Sequence, residues 1–112
     1  MVGTDIVDIE RLRDVFARCP QLERRLFTSE EVAYCRKKAD PVRSFAGTLA
    51  AKEAVMKAAG LGGLPAWARR IEIERSPMGV PRASLAASPA AAFHVSISHD
   101  GGAAIAIAMR VK

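Results

Sequence analysis

The sequence predicts a single α+β domain in which a mostly antiparallel sheet packs against one long helix. Apolar residues recur at helical spacing in the first half, and strand-type alternation follows in the second half. The length of 112 residues suits one domain. Because 21 residues are Ala and only six are aromatic, the predicted core is thin, and we expect oligomerisation to help stabilise it.

The helical half contains three predicted segments. Apolar spacing indicates a first helix over residues 8–18, which a Cys-Pro pair then interrupts. Thr28 and Glu31 match a capping box, which predicts a short helix to about residue 38. Asp40, followed by proline, is typical of an N-cap, and it begins a long helix over residues 41–59 that a glycine ends.

The second half alternates apolar and polar residues with the period of a β-strand. Residues 71–74 predict one strand, and residues 80–85 return after a Pro-Met-Gly turn. Residues 94–99 and 103–111, joined by Asp-Gly-Gly, form the strongest hairpin signal of the chain. A short strand near Val2-Gly3 completes the predicted sheet.

Composition and charge exclude several classes of protein. The net charge is +5, and twelve of the seventeen basic residues are Arg, which suits an anionic ligand, an acidic protein or nucleic acid. No apolar run approaches the roughly 20 residues of a membrane span, and an acid within the first five residues argues against a signal peptide. Cys19 and Cys35 lack metal-binding spacing and are interpreted as buried or partly buried thiols, so we expect a reduced, soluble, cytoplasmic protein.

Two carboxylates, a lysine and a glycine stretch are candidates for chemistry. Asp5 lies between a strand and a helix, where an acid is more often a helix cap than a functional group. Glu53 and Lys57 share one helix face; such pairs are usually solvated, but the small apolar residues around them indicate close approach of another surface. Gly60 and Gly62 would let backbone approach a phosphate. These residues could hold Mg²⁺ and a polyphosphate.

Other familiar catalytic arrangements find no support. His94 and His99 fall an odd number of residues apart in one strand, so they face opposite sides and are interpreted as polar residues with satisfied hydrogen bonds. Ser96 and Ser98 lie inside the same strand without a nucleophile elbow, and the sequence contains neither a P-loop nor a dinucleotide fingerprint.

Six short segments, in order along nearly the whole chain, are similar to motifs of one known family. They are GTDIVDIER at residues 3–11, FTSEE at 27–31, AAKEA with KA at 50–54 and 57–58 followed by two glycines, IEI at 71–73, GVP at 79–81 and HVSISHD at 94–100. The chain thereby resembles the holo-acyl-carrier-protein synthases, which are small phosphopantetheinyl transferases. The resemblance is specific because six motifs agree, although Leu49 replaces the usual Phe of the third.

The resemblance implies a reaction and a set of site residues. The family moves the 4′-phosphopantetheine arm of coenzyme A onto a Ser of an apo acyl carrier protein, and releases adenosine 3′,5′-bisphosphate. It implies dependence on Mg²⁺ and a homotrimer with active sites between neighbouring subunits, without a membrane or nucleic acid as partner. The implied roles are Asp5 and Glu53 as metal ligands, Glu53 and Lys57 as catalytic residues, and Lys57, Gly60, Gly62, Arg43 and His99 as contacts to the cofactor.

A basic face near the amino terminus resembles the family's docking surface for the acidic carrier protein. Arg11, Arg18 and Arg25 recur every seven residues, and Leu22 lies among them as an apolar contact. The alternative is a solvated basic face without a partner.

The sequence departs from the family pattern in two places. It has fewer residues before the first motif than family members usually have. Thr48 stands where the family usually has Arg, close to the nucleotide, so we expect weaker discrimination for the 3′-phosphate unless Arg43 or an Arg of a neighbouring subunit compensates.

Two other functions compete with the transferase. A small basic nucleic-acid-binding module would fit the net charge, but aromatic residues are not interleaved with the basic ones. A catalytically inactive relative that only binds carrier protein would not need Asp5, Glu53 and Lys57.

Overall fold

A computed structural model describes residues 1–63 and 66–112, and in them strands flank a block of helices. The elements are β1 Val2–Asp8, α1 Ile9–Arg18, α2 Leu22–Leu26, α3 Ser29–Arg36, α4 Pro41–Ala59, β2 Ile71–Arg75, β3 Pro81–Leu85, β4 Phe93–Asp100 and β5 Ala103–Arg110. The predicted α+β class and antiparallel pairing are confirmed. Within these described ranges, none of the helices combines the length and the apolar character that a membrane span needs.

The strands form two antiparallel sheets rather than the single sheet predicted. One sheet has the order β1-β5-β4, and β2 and β3 form a separate hairpin. Strand β1 is longer than the short strand expected, because all seven of its residues pair with β5, from Val2 opposite Met109 to Asp8 opposite Ala103. Pairing across the sheet, rather than local alternation, extends this strand.

Helix α4 is the centre of the core, and small residues along it let β1 approach closely. Ala54 and Ala58 are fully buried on this helix. A Cβ added at Gly3 would lie only 2.0 Å from the carbonyl oxygen of Ala54 and 2.8 Å from the nitrogen of Ala58. Only glycine can occupy this crossing without moving backbone.

The same close packing explains which side chains β5 buries. Its core-facing positions are Ala104, Ala106 and Ala108, each at most 1% exposed, and its larger residues face outward. Because α4 approaches the sheet so closely, only methyl groups fit between them. The large apolar side chains of β5 therefore lie on the outward face of the sheet.

A buried carboxylate joins α3, α4 and β2. Glu31 closes the predicted capping box with Thr28. It also accepts hydrogen bonds from the Lys52 ammonium and from the backbone nitrogen of Ile73 at 2.7 Å. Burial lowers the pKa of Lys52, and the Glu31 charge opposes that shift. The ion pair is stable in the interior because both charges are hydrogen-bonded.

Helix boundaries follow the sequence signals, although the side chain of Asp40 does not cap α4 as expected. Asp8 caps α1 by accepting from the backbone nitrogen of Arg11 at 3.0 Å. Asp40 precedes α4 as predicted but forms no side-chain cap; it accepts from Arg13 at 2.8 and 3.2 Å instead. Gly60 ends α4 with a φ of 71°.

Both cysteines are free thiols, as predicted from the sequence. Cys19 is partly buried and Cys35 is buried.

We predict that Gly3→Ala destabilises the fold by about 1–3 kcal/mol, the usual range for overpacking a well-packed core. The added methyl must displace backbone of α4. The matched control is Gly102→Ala, where an added Cβ meets nothing within 4 Å. Urea unfolding measures the change, and equal stability of the two variants would contradict the close crossing.

Candidate active site

Asp5 lies inside strand β1 and not at a helix end, so its interpretation as a cap is wrong. It pairs with Ala106 of β5, and the cap of α1 is Asp8, three residues later. The Gly3 crossing two residues earlier holds this part of β1 against α4. The side chain of Asp5 is only 13% exposed and faces the carboxyl-terminal half of that helix.

Lys57 of α4 is fixed by two acceptors of β1. Its Nζ donates to the carbonyl oxygen of Thr4 at 2.9 Å and to Oδ1 of Asp5 at 3.1 Å. The lysine side chain is 55% exposed, so its head remains open to solvent. A lysine ammonium has three donors, and the third is available to a ligand.

Glu53 and Asp5 form a carboxyl pair that disfavours two negative charges. The pKa of Glu53 is raised to about 8. Burial is the largest cause, and a hydrogen bond to Asp5 and charge repulsion from Asp5 add to it, whereas the positive charge of Lys57 opposes the shift. Oδ2 of Asp5 is buried, and no group of the described residues donates a hydrogen bond to it. A protonated Glu53 can donate to Asp5, which is one cause of the raised pKa of Glu53.

The carboxyl pair has the chemistry of a site for a hard divalent cation. Its orphaned, buried oxygen and its repelling charges are features that a bound cation would satisfy. Within residues 1–63 and 66–112, Asp, Glu, His and Cys form no cluster of three that could hold a metal. A magnesium ion would therefore need further oxygen ligands from a phosphate or from water, as this ion commonly has.

An open groove of about 820 Å³ begins beside Glu53 and runs along α1. Leu12, Val15 and Leu49 supply apolar walls, and the charged residues Asp8, Glu10 and Arg11 also line it. Of the predicted docking residues, Arg11 lines the same groove as Glu53.

The predicted docking residues do not form one continuous helical face. Arg11 and Arg18 belong to α1, whereas Leu22 and Arg25 belong to α2, on the other side of the break at residues 19–21. Arg25 lines a separate depression with Arg24, Arg36 and Arg69. The seven-residue spacing therefore spans two helices.

The two predicted glycines differ in their surroundings. Gly60 is the left-handed end of α4, and a Cβ there would meet the Met1 side chain at 3.4 Å. Gly62 has nothing within 4 Å of an added Cβ. Both are exposed beyond the helix end that carries Lys57.

Arg43 and His99 lie together at a second place, away from the carboxyl pair. His99 Nε2 donates to the carbonyl oxygen of Arg43 at 3.0 Å. Both residues line a cavity of about 440 Å³ with Tyr34, Lys38 and Arg75. The residues predicted to contact the cofactor thus divide between two ends of α4, because ten residues, or about 15 Å, separate Arg43 from Glu53 along the helix.

Thr48, which stands where the family usually has Arg, is fully buried. Its hydroxyl donates to the carbonyl oxygen of Ser44 at 3.0 Å and accepts from Nη1 of Arg75 at 3.0 Å. An Arg at position 48 would have to displace Arg75. The expected weaker discrimination for the 3′-phosphate stays a prediction.

Sequence reasoning missed Tyr34, Lys38 and Arg75 of the cavity. The sequence did contain a signal for Arg75. In the alternating pattern of β2, position 75 falls on the same face as the buried residues Ile71 and Ile73. A charged residue in that phase indicates a partner or a ligand inside.

Comparison with known proteins supports one family over almost the whole chain. The family model of the 4′-phosphopantetheinyl transferase superfamily matches residues 1–108. A holo-[acyl-carrier-protein] synthase of Chlorobaculum tepidum is 42% identical over 113 residues, which cover 96% of this chain and 95% of the relative.

Solved structures agree with this similarity. The holo-[acyl-carrier-protein] synthase of Helicobacter pylori, in complex with coenzyme A, matches with a TM-score of 0.85 and 31% identity, over 99% of this chain and 100% of the other. The holo-[acyl-carrier-protein] synthase of Neisseria meningitidis matches with a TM-score of 0.87 and 29% identity, over 99% of this chain and 97% of the other.

The raised pKa of Glu53 predicts a pH dependence of stability. Between pH 4.5 and 8 the folded chain binds more protons than the unfolded chain, so the free energy of unfolding falls as pH rises through this window. Glu53→Gln has no ionisable group at position 53, so its free energy of unfolding should not show this fall. We therefore expect the difference in stability between the variant and the parent protein to shift in favour of the variant as pH rises. Urea unfolding in chelator-treated buffer at several pH values measures the difference.

The control for this prediction is Glu74→Gln, which removes an exposed carboxyl from β2. Its stability should follow the parent protein at every pH. Parallel curves for Glu53→Gln and the parent would contradict the carboxyl pair.

Proposed function

Because the chain belongs to the 4′-phosphopantetheinyl transferase superfamily, we propose that it transfers the 4′-phosphopantetheine group of coenzyme A to a serine of an apo acyl carrier protein. The products are the holo carrier protein and adenosine 3′,5′-bisphosphate. The observation that carries the proposal is the crossing of β1 and α4, which brings Asp5, Glu53 and Lys57 together.

The reaction asks the protein mainly for positioning and charge neutralisation. The serine oxygen forms a bond to the β-phosphorus of the diphosphate, and the bond from that phosphorus to the bridging oxygen breaks. Negative charge develops on the phosphate oxygens. A site with fixed cations beside the diphosphate stabilises this charge.

Lys57 is suited to that task because β1 already holds it in place. Thr4 and Asp5 accept two of its three hydrogens, so the remaining one points a positive charge at a ligand without further ordering. The exposed backbone at Gly60 and Gly62, beyond the same helix end, leaves room for the nucleotide.

Asp5 and Glu53 would hold Mg²⁺ together with diphosphate and water oxygens. When bound there, the ion supplies positive charge to the diphosphate. Glu53 has to be ionised in that arrangement.

The carrier protein would dock on the basic surface beside the groove of Glu53. Arg11 lines that groove and Arg18 follows on the same helix. Leu22 and Arg25 of α2 would give the carrier a second contact, at the separate basic depression that Arg25 lines. Complementary charge on an acidic partner would steer association and orient the serine toward Glu53.

We propose that the active form is a homotrimer with sites between neighbouring copies. On the outer face of the three-stranded sheet, β1 and β5 carry large apolar residues that are 42–66% exposed, and β4 places His94, Ser96 and Ser98 beside them. The apolar residues are Val2, Ile6, Ile105, Ile107 and Met109. An exposed apolar face of this kind marks an interface.

The proposal is tested by incubating an apo acyl carrier protein with coenzyme A, Mg²⁺ and this protein. Mass spectrometry should detect a gain of one phosphopantetheine on the carrier. We expect Glu53→Gln to abolish nearly all transfer with little loss of thermal stability at neutral pH, since Glu53 carries a proton there without a cation.

Glu74→Gln is the matched control, because it removes an exposed carboxyl far from the pair and should transfer normally. If the protein binds the carrier but the carrier gains no mass, the protein is a catalytically inactive relative that only binds carrier protein. Salt-sensitive nucleic-acid binding without transfer would indicate the basic module.

Ile107→Glu tests the trimer. A carboxylate in the centre of the apolar sheet face should break the assembly, and light scattering should report monomers where the parent protein has three chains. Met78→Glu, at an 89% exposed turn, is the control and should remain trimeric. A monomeric, fully active parent protein would contradict the proposal.

A further inference from the structure

We propose that the ion pair between Glu23 and Arg36 holds α2 in the orientation that docks the carrier protein, so that both residues are positioning residues for docking. The inference rests on the proposed function and adds to it two residues outside the carboxyl pair. It concerns the basic depression of about 860 Å³ that Arg25 lines.

Helix α2 has few contacts of its own that hold it in place. Among its five described residues none is buried, and the side chain of Gln21 does not cap its amino end. A helix this short is not stable by itself in water. Leu22 and Leu26 are only partly buried against the neighbouring core cluster. The orientation of α2 therefore depends on its contacts with other elements.

The contact from α3 is a bidentate ion pair. Nε of Arg36 donates to Oε1 of Glu23 at 2.7 Å, and Nη2 donates to Oε2 at 2.8 Å. The Glu23 side chain is only 14% exposed, although Arg36 remains 61% exposed. Most exposed ion pairs contribute little to stability, but two parallel hydrogen bonds to a largely covered carboxylate fix both distance and angle. This pair therefore sets how α2 lies against α3.

The pair lies beside cations that it does not neutralise. Arg24, Arg25 and Arg69 line the depression together with Arg36, and none of these three forms an ion pair in the part of the chain that the structure describes. Arg24 and Arg25 are exposed and directly follow Glu23 in α2, so a rotation of this helix moves both of them. The depression fits acidic groups of a partner, and the direction of its cations depends on α2.

Two roles for Glu23 make opposite predictions about an acidic carrier. If only the charge of Glu23 matters, this carboxylate repels the carrier, and its removal strengthens docking. If the pair positions α2, removal of Glu23 frees the helix, and docking weakens although the surface becomes more positive. The structure favours positioning, because a carboxylate that its partner neutralises and that is largely covered presents little charge to a ligand.

The experiment measures transfer by the whole protein with an apo acyl carrier protein and coenzyme A. We expect Glu23→Gln to raise KM for the carrier about fivefold, the cost of ordering one or two side chains on binding, while kcat and KM for coenzyme A stay close to the parent values. Arg36→Gln should have the same effect. Because the two residues act as one unit, the double variant should dock no more weakly than either single variant.

Asp14→Asn is the matched control, since it removes one negative charge near the docking residues without freeing a helix. Asp14 is exposed on α1, at a helical spacing that places it on one face with Arg11 and Arg18. Its carboxylate forms no ion pair within residues 1–63 and 66–112. KM for the carrier should therefore not rise in this variant, and a rise equal to that of Glu23→Gln would overturn the inference.

Three further results would overturn the inference while leaving the proposed function in place, provided that the parent protein transfers phosphopantetheine. The first is a carrier KM that is unchanged or lower in Glu23→Gln. The second is an additive effect of the two substitutions, and the third is an equal rise of both KM values, which would show general damage.

Arg25→Gln tests the premise that α2 meets the carrier. Its KM for the carrier should rise while its KM for coenzyme A stays unchanged, and an unchanged carrier KM would overturn the inference. A parent protein that does not transfer phosphopantetheine would instead overturn the proposed function itself, and this inference with it.

Discussion

The close crossing of β1 over α4 at Gly3 is the constraint on which the rest of the structure depends. With no side chain at Gly3, the strand lies directly against the backbone of α4 near Ala54. This contact brings Asp5 beside Lys57 and Glu53. A larger residue at the crossing would separate the strand from the helix, and the carboxyl pair and the lysine would no longer share one site.

The same tight spacing has a consequence on the opposite side of the sheet. The core side of β5 accepts only alanine, and its large apolar residues face outward, Ile107 among them. A chain that buries so few large side chains against its central helix gains little from its own core. An assembly through the outer face would bury the remaining exposed apolar residues.

Glu31 is the second point that organises the molecule. It caps α3, neutralises Lys52 of α4 and binds the backbone of Ile73 in β2. Burying this ion pair costs desolvation energy, which its several hydrogen bonds offset. Because the network holds β2 against α4, Arg75 reaches Thr48 across the gap between sheet and helix. A structural ion pair thus helps to position an arginine that lines the cavity at the amino-terminal end of α4.

The sequence by itself determined the local features: the α+β class, the helix ends at Thr28 and Gly60, and the hairpin turn after β4. These depend on capping, glycine conformation and periodicity, which act over a few residues. Family motifs indicated Asp5, Glu53 and Lys57 as a group, but spacing alone suggested that Asp5 was a helix cap. Its pairing with β5 lies a hundred residues away in the sequence, beyond any local pattern.

Only the tertiary structure decided how distant residues meet. It separated β2 and β3 from the main sheet, divided the predicted cofactor residues between two ends of α4, and buried Thr48 beneath Arg75. The local patterns around Thr48 and Arg75 do not indicate that these two residues, 27 positions apart in the sequence, form a hydrogen bond. Such contacts depend on how closely strands and helices pack, and that distance is set by small residues, such as Gly3, whose effect appears only when the backbones come together.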